Sequence, residues 1–335
     1  MTSRPRTVLA MQPQLPGQLF DPAERDRLER VTDLVPDLVL TDYGTPPARA
    51  ALAEAEVLLT CWGAPTVDAK ALADAPRLRA IVHAAGTIKS LVGPECWERG
   101  IVVSSGADAN AVPVAEYALS MILLTGKRVF DAAHDYHRAG ARPAKPSDGQ
   151  TGNYRRTVGL VSASRVGRRV ADLLRPFDLD VLIADPFLDA AGAEALGATL
   201  VGLDELCTRA EILSLHAPAI PATRHLIGPA QLRAMPDGGT LINTARGSIL
   251  DHDALLAELK TGRLSAVLDV TEPEPLPADS PFYDLPNVLV TPHVAGAQGI
   301  EIRRLGSWAL DEIERYAAGQ PLRHEILAAE LDITA

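Results

Sequence analysis

Three segments in the second half of the chain end an apolar run in residues that could take part in catalysis. They read Leu241-Ile-Asn-Thr-Ala-Arg-Gly, Leu268-Asp-Val-Thr-Glu-Pro-Glu-Pro and Val290-Thr-Pro-His-Val-Ala-Gly. In open α/β sheets ligands bind beyond the carboxyl ends of the strands, so Arg246, Glu274 and His293 would form a plausible catalytic set. Each alone has a simpler interpretation, because an arginine after a strand is usually solvated and a histidine there is usually structural.

A second candidate site lies between two apolar runs, 157–161 and 180–184, which flank a helical pattern and so indicate a βαβ crossover. Its turn reads Ser-Ala-Ser-Arg-Val-Gly where dinucleotide-binding proteins carry G-x-G-x-x-G, and only the last glycine, Gly167, remains. Asp185 ends the second run, where such proteins carry an acidic ligand for a ribose hydroxyl. A crossover that binds no nucleotide would look similar.

Ser162 and Ser164 replace the first two glycines of that pattern. Each serine adds a Cβ atom, so we expect the turn to open slightly or to avoid positive φ. The hydroxyls could instead donate to a pyrophosphate, which the N-terminus of the following helix would also attract.

The composition is that of an ordinary globular protein, with 47% hydrophobic and 22% charged residues. The 43 acidic and 32 basic residues give a net charge of −11, which argues against nucleic acid or an anionic membrane as the main partner. We find no apolar run near the ~18 residues of a membrane span.

The three scattered cysteines predict reduced thiols in a cytoplasmic protein. His134 and His137 lack further ligands, so no metal site is predicted.

Short runs rich in Val, Leu and Ile alternate with helical patterns in both halves of the chain. This alternation predicts an α/β protein with two doubly wound parallel-sheet domains. The runs lie at 7–11, 37–41, 56–60, 79–83 and 101–104 in the first half, and at 157–161, 180–184, 199–201, 211–215, 240–244, 265–269 and 288–292 in the second. A strongly apolar helix is predicted at 113–130, buried between domains or subunits.

Taken together, these motifs closely resemble those of the D-isomer-specific 2-hydroxyacid dehydrogenases. The resemblance rests on INTARG, LDVTEPEPLP, TPHVAG, LHAPAIPATRHLI at 215–227, ANAVPVAEYAL and the closing GQPL, and covers nearly the whole chain. It implies a flavodoxin-like substrate domain, 1–110 plus 300–335, and a Rossmann NAD-binding domain, 111–299. It also implies NADH-dependent reduction of a 2-keto acid to a D-2-hydroxy acid.

The resemblance assigns a role to each catalytic residue. Arg246 matches the arginine whose planar fork holds the substrate α-carboxylate and polarises the keto oxygen. His293 matches the acid/base that gives a proton to that oxygen while hydride arrives from the nicotinamide. Glu274 matches the carboxylate that favours the imidazolium form of the histidine and orients its ring.

Cofactor contacts are implied in the same way. Asp185 matches the ribose ligand and favours NAD over NADP, because a 2′-phosphate would face a carboxylate. Asp269 matches the contact to the nicotinamide amide, while His216 could either approach the cofactor or cap its strand. The other implied cofactor-binding positions are Ser162, Ser164, Arg165, Val166, Gly167, Pro218, Thr223, Thr244, Ala245, Arg246, His293 and Gly296.

Substrate contacts are expected mainly in the first half of the chain. The backbone of Ala85-Gly86-Thr87 matches the family's glycine loop, which holds the substrate carboxylate. Trp62, Asn110 and Arg246 complete the predicted set, although Trp62 could equally belong to the core.

Two further expectations concern function without turnover and assembly. The altered turn slightly favours an NADH-sensing binding protein, whereas the complete set of Arg246, Glu274 and His293 disfavours it. The apolar helix at 113–130 also suggests a homodimer, as is common in the resembled family.

Overall fold

The computed structural model describes residues 4–140 and 151–331, and the chain divides into two units. The first unit comprises Met1–Ala111 and Ala297–Ala335, and the second comprises Val112–Gly296.

The first unit is built on five parallel strands in the order β2-β1-β3-β4-β5. Its strands are β1 (Arg6–Ala10), β2 (Asp33–Leu40), β3 (Val57–Thr60), β4 (Ala80–His83) and β5 (Val102–Ser105). This is the flavodoxin-like order. β1, β3 and β4 are almost wholly buried, which explains why they read as continuous apolar runs.

The second unit is built on seven parallel strands in the order β12-β11-β10-β9-β6-β7-β8. Its strands are β6 (Arg156–Val161), β7 (Leu179–Ala184), β8 (Thr199–Leu200), β9 (Ile212–Leu215), β10 (Thr240–Asn243), β11 (Ser265–Leu268) and β12 (Val288–Val290). The strand order reverses between β6 and β9, as in a Rossmann sheet, and ligands bind at such a switch point. The predicted fold class, two doubly wound parallel-sheet domains, is confirmed.

Helices cover both sheets. They are α1 (Leu15–Leu19), α2 (Pro22–Val31), α3 (Pro46–Glu54), α4 (Ala69–Asp74), α5 (Glu95–Glu98), α6 (Ala107–Gly126), α7 (Val129–Ala139), α8 (Arg165–Leu174), α9 (Ala190–Ala195), α10 (Leu203–Arg209), α11 (Pro229–Ala234), α12 (His252–Lys260) and α13 (Ile302–Ala317). In the first unit, α13 packs against α1 and α2, and its Leu305, Leu310 and Ile313 are buried. The C-terminal segment therefore completes the core of the first unit.

The single helix predicted at 113–130 is wrong in both bounds. α6 already begins at Ala107, directly after β5, and it ends at Gly126. Asn153 donates from Nδ2 to the carbonyl of Leu123 at 3.0 Å, and Arg128 adopts a left-handed conformation with φ 51°. The chain then starts a separate helix, α7, because these contacts end α6.

α6 is also longer than the apolar run seen in the sequence, and by length and composition alone it could cross a membrane. The core helix of a globular protein meets the same criterion. In the second unit, Ala115, Ala118 and Ile122 of α6 are fully buried in a hydrophobic core with Leu160 and Ile242. Their burial accounts for the apolar character of this face.

Candidate active site

His293 and Glu274 form a hydrogen-bonded pair in the second unit. The Nδ1 of His293 lies 2.5 Å from the Oε1 of Glu274, although their sequence positions are far apart. Because a carboxylate can only accept, Nδ1 carries the proton in this bond, which leaves Nε2 to exchange a proton with a ligand. The two side chains are about half exposed, at 49% and 40%, so solvent or substrate can reach them.

The buried carboxylate of Asp269 holds the turn that carries His293. It accepts from the hydroxyl of Thr291 at 2.6 Å and from the amides of Val294 and Ala295 at 2.8 and 2.9 Å. The amide of His293 donates to the Asp269 carbonyl, and His293 itself has φ 55°. Asp269 therefore fixes a backbone conformation that histidine seldom adopts, in addition to any contact with a nicotinamide.

Arg246 follows β10 in a turn that Asn243 closes. The Oδ1 of Asn243 accepts from the amide of Ala245 at 3.0 Å, and its Nδ2 donates to the carbonyl of Arg246 at 3.0 Å. Burial lowers the pKa of the Arg246 guanidinium below the usual arginine value, while the negative charge of Glu274 opposes that shift. A largely buried cation beside a carboxylate is suited to binding a second anion.

Gly247 lets the Arg246 turn approach the loop that leads to Glu274. A Cβ atom on Gly247 would lie 2.1 Å from the backbone of Thr271 and 2.6 Å from the amide of Glu272. No side chain fits at such distances, so this close approach requires glycine. Arg246, Glu274 and His293 are thus carried by segments of one unit that contact each other through backbone and buried polar groups.

The turn after β6 departs from the expectation that serine would avoid positive φ. Ser162 has φ 81°, the left-handed conformation that glycine adopts in this kind of turn. The Cβ of any residue at Gly167 would lie 2.0 Å from the Ser162 carbonyl oxygen, so the helix and turn pack as closely as the glycine pattern requires. The turn therefore keeps the dinucleotide-binding shape with only its last glycine.

The two serines use their hydroxyls within the turn. Ser162 donates from Oγ to the Oδ2 of Asp185 at 3.0 Å. Ser164 caps α8, since its Oγ accepts from the amide of Gly167 at 3.2 Å. Donation of the Ser162 proton to a pyrophosphate, which the sequence left open, is thus replaced by a bond to Asp185. The Ser164 proton is not used in the cap and stays available to an anion.

Buried polar groups near the switch point fit a dinucleotide. His216, directly after β9, is 4% exposed and Thr244, directly after β10, is 7% exposed. Within the part of the chain that the structure describes, neither nitrogen of His216 nor the hydroxyl of Thr244 has a hydrogen-bond partner. Such unsatisfied groups are rare in a protein interior, and a polar ligand at the strand ends would supply partners. His216 does not cap its strand through its ring.

Buried histidines give the protein a pH-dependent stability. Burial lowers the pKa of His216 to about 3 and that of His83, in the first unit, to about 4. Below pH 6.5 these histidines bind protons in the unfolded chain but stay neutral in the folded chain. The free energy of unfolding therefore falls as the pH drops from 7 towards 4, by roughly 1 kcal/mol per histidine and pH unit. Urea midpoints at pH 7.5 and 5.0 should differ clearly. They should differ less in His83→Asn; an equal pH dependence in both proteins would contradict this assignment.

The remaining predicted cofactor residues lie in segments that follow the carboxyl ends of strands in the second sheet. Arg165 and Val166 form the first turn of α8, and Ala245 and Gly296 lie in the turns that carry Arg246 and His293. The hydroxyl of Thr223 donates to the carbonyl of Pro218 at 2.5 Å and accepts from the amide of Ile220 at 3.0 Å. Thr223 therefore closes its own loop.

The predicted substrate residues of the first unit gather at the carboxyl edge of its sheet. Residues 85–87 follow β4, and Trp62, 37% exposed, follows the neighbouring strand β3. The Nδ2 of Asn110 lies 3.5 Å from the position that a Cβ on Gly86 would occupy, and its Oδ1 accepts from the amide of Ala297 at 3.0 Å. Asn110 is thereby held next to the 85–87 loop.

Several residues that shape the site were not predicted from the sequence. Asn243 and Gly247 flank Arg246 within its motif, and this position next to a candidate catalytic residue was the available signal. Thr291 bridges Asp269 and Tyr117, whose hydroxyl lies 2.8 Å from the Thr291 hydroxyl. The contact of Tyr117 with Thr291 joins α6 to the His293 turn, and no local pattern indicates it.

The sheet order, the turn after β6 and the acidic residue after β7 define the second unit as a Rossmann dinucleotide-binding domain. The family model described as D-isomer specific 2-hydroxyacid dehydrogenase, NAD binding domain, matches residues 119–295. The chain belongs to this oxidoreductase family, and NAD is its cofactor.

Known proteins resemble the chain over most of its length. It is 29% identical over 302 residues to a D-3-phosphoglycerate dehydrogenase of Methanocaldococcus jannaschii, covering 90% of this chain and 57% of that protein. It is 30% identical over 257 residues to a glyoxylate reductase of Korarchaeum cryptofilum, covering 76% and 77%. The crystal structure of the TT0316 protein of Thermus thermophilus is 29% identical with a TM-score of 0.75, covering 96% and 100%. The chain spans about half the length of the phosphoglycerate dehydrogenases that it matches.

Proposed function

We propose that the protein reduces a 2-keto acid to a D-2-hydroxy acid with NADH, reversibly, and that Arg246, Glu274 and His293 are its catalytic residues. The observation that carries this proposal is the 2.5 Å bond between His293 Nδ1 and Glu274 Oε1, with the charge of Glu274 acting on Arg246 as well. An arginine, a carboxylate and a histidine with these contacts can bind a carboxylate and protonate a neighbouring oxygen.

In this mechanism the guanidinium of Arg246 binds the substrate carboxylate through two parallel N–H groups and polarises the keto oxygen. His293 gives the proton on Nε2 to that oxygen, and Glu274 stabilises the imidazolium and holds its ring. When bound, the nicotinamide supplies the hydride that the carbonyl carbon receives. The keto group thus gains an electron pair on carbon and a proton on oxygen, which gives the hydroxyl group of the product.

The proposal also assigns cofactor and substrate roles. In the second unit, the turn at 162–167, with Asp185, His216 and Thr244, would hold the dinucleotide. In the first unit, the 85–87 loop with Trp62 and Asn110 would belong to a substrate domain. The buried groups of His216 and Thr244, which have no partner among the described residues, support the first assignment, and the placement of Asn110 beside Gly86 supports the second.

The test is NADH consumption with a panel of keto acids. The panel contains 3-phosphohydroxypyruvate and glyoxylate, because relatives are named for those reactions, together with hydroxypyruvate, pyruvate and bulkier keto acids. We expect turnover of at least one acid, a D-configured product and a slower reaction with NADPH. Saturable NADH binding without turnover of any panel member would instead favour the sensing function.

A homodimer is part of the proposal. α7 buries none of its residues, all of which the structure describes, and its Val129 and Tyr136 are 39% and 56% exposed. Exposed apolar side chains on one helix are suited to a second copy of the chain. Sedimentation that shows only monomer at micromolar concentration would remove this part of the proposal.

A further inference from the structure

The serine at the first glycine position of the dinucleotide turn is strained for a reason that its contacts reveal. Ser162 has φ 81°, which an L side chain rarely adopts and glycine adopts freely. Strained residues persist where the surrounding structure holds them, and they cluster at functional sites. Among the described residues, the hydroxyl of Ser162 makes one hydrogen bond, 3.0 Å long, to the carboxylate of Asp185.

That bond completes the partners of one carboxylate oxygen. Oδ2 of Asp185 accepts from Ser162 Oγ at 3.0 Å and from the amide of Ala163 at 2.7 Å, so both of its lone pairs are used. Within the described chain, Oδ1 accepts only from the amide of Phe187, at 2.8 Å, and keeps one lone pair. The carboxylate is therefore fixed in orientation, with Oδ1 left to accept from a ligand.

The same bond decides what Ser162 can offer to a ligand. A hydroxyl carries one proton and two lone pairs, and Ser162 gives its proton to Asp185. The exposed part of its oxygen can then only accept. Ser162 and Asp185 together form a pair, here called the acceptor pair, that can receive two hydroxyl protons and offers none.

We propose that Ser162 is a specificity-determining residue that, through the acceptor pair, selects NADH against NADPH more strongly than Asp185 alone. A ribose diol has two protons to give, and the acceptor pair has an open lone pair on Oδ1 and further lone pairs on Oγ. A 2′-phosphate is mostly dianionic at neutral pH and has few protons to give, so its negative charge meets a carboxylate and an acceptor oxygen at once. This inference rests on the proposed role of Asp185 as the ribose ligand.

The experiment compares the affinities of NADH and NADPH in fluorescence titrations of the parent protein, Ser162→Gly and Ser162→Ala. Both variants lose the hydroxyl, but only Ser162→Gly relieves the backbone strain. We expect each variant to bind NADH about two- to tenfold more weakly, the value of one hydrogen bond, and NADPH no more weakly. The dissociation constant of NADPH divided by that of NADH should therefore fall by a similar factor in both variants.

Ser164→Gly is the matched control, because it removes a serine hydroxyl two residues away that caps α8 and does not contact Asp185. It should change both affinities in the same direction and leave their ratio as in the parent. Urea unfolding checks that the variants fold. The midpoint of Ser162→Gly should be higher than that of Ser162→Ala, because both lose the hydroxyl but only glycine relieves the strain.

The outcomes separate this inference from the proposed function. A parent protein that binds neither dinucleotide would overturn both. A parent that prefers NADH, with an unchanged ratio in Ser162→Gly and Ser162→Ala, would overturn the role of Ser162 and leave the NAD-dependent reaction standing. A ratio that falls only in Ser162→Ala would assign the effect to backbone strain and would also contradict the proposal.

Discussion

Replacing His293 with asparagine is expected to lower kcat for keto-acid reduction by about 10²- to 10⁴-fold, the usual contribution of a general acid. The bond from His293 Nδ1 to Glu274 leaves Nε2 as the proton donor, and an asparagine amide cannot give up a proton at neutral pH. NADH affinity should change much less than kcat, because the lost interaction belongs to proton transfer.

Asparagine is the informative replacement because His293 has φ 55°. Among residues with a side chain, asparagine tolerates this left-handed conformation well, whereas alanine would add backbone strain to the chemical defect. A loss of activity in His293→Asn therefore reports on the imidazole.

His225→Asn supplies a matched control in the same unit. His225 also has positive φ, at 51°, and its Nε2 lies 3.9 Å from a carboxylate oxygen of Glu272. Like His293, it has a left-handed backbone conformation and an acidic neighbour, but it lies outside the proposed catalytic set, so the kcat of His225→Asn should stay within about twofold of the parent. Full activity of His293→Asn under substrate saturation would refute the proposed mechanism.

The sequence predicted those parts of the molecule that depend on local patterns. Strands such as β6 and β9 are buried on both faces, so their apolar runs are visible without knowledge of their neighbours. The capping box of Asp21 and Glu24, which starts α2, is likewise a signal carried by residues close together in the sequence. Arg246, Glu274 and His293 could be singled out because each follows an apolar run and because their motifs occur together.

Features that depend on distant contacts could not be predicted. The end of α6 depends on Asn153, 30 positions beyond the carbonyl that it caps. The positive φ of Ser162 runs against local steric preference and is favoured by the bond to Asp185 and by the close approach of Gly167. The buried ring of His216, without a partner in the described chain, follows from the position of β9 at the centre of the sheet, which apolar periodicity alone does not give.

Replacing Arg246 with lysine is expected to reduce kcat/KM for keto acids by about 10²- to 10³-fold, as removal of a preorganised donor to a developing oxyanion does elsewhere. Lysine keeps the positive charge but offers a single ammonium group, so it cannot present two parallel N–H donors to a carboxylate. The exchange removes the bond that Arg246 Nη1 donates to the carbonyl of Ala245 at 2.6 Å, but the turn should survive because Asn243 still bonds to the backbone of Ala245 and Arg246.

Arg224→Lys is the control for a general effect of exchanging arginine for lysine. Arg224 pairs with Glu272 at 3.1 Å, but its side chain is 57% exposed, and surface pairs of this kind contribute little. Its kcat/KM should remain within about twofold of the parent.

Stopped-flow measurements should place the loss in Arg246→Lys in keto-acid binding and reduction, and NADH titration should show affinity within about tenfold of the parent. Because the burial that lowers the pKa of Arg246 favours an anionic partner, an aldehyde lacking the carboxylate should be reduced by parent and variant at similar, slow rates. A variant that reduces keto acids as well as the parent, or that loses only NADH affinity, would show that Arg246 does not hold the substrate carboxylate.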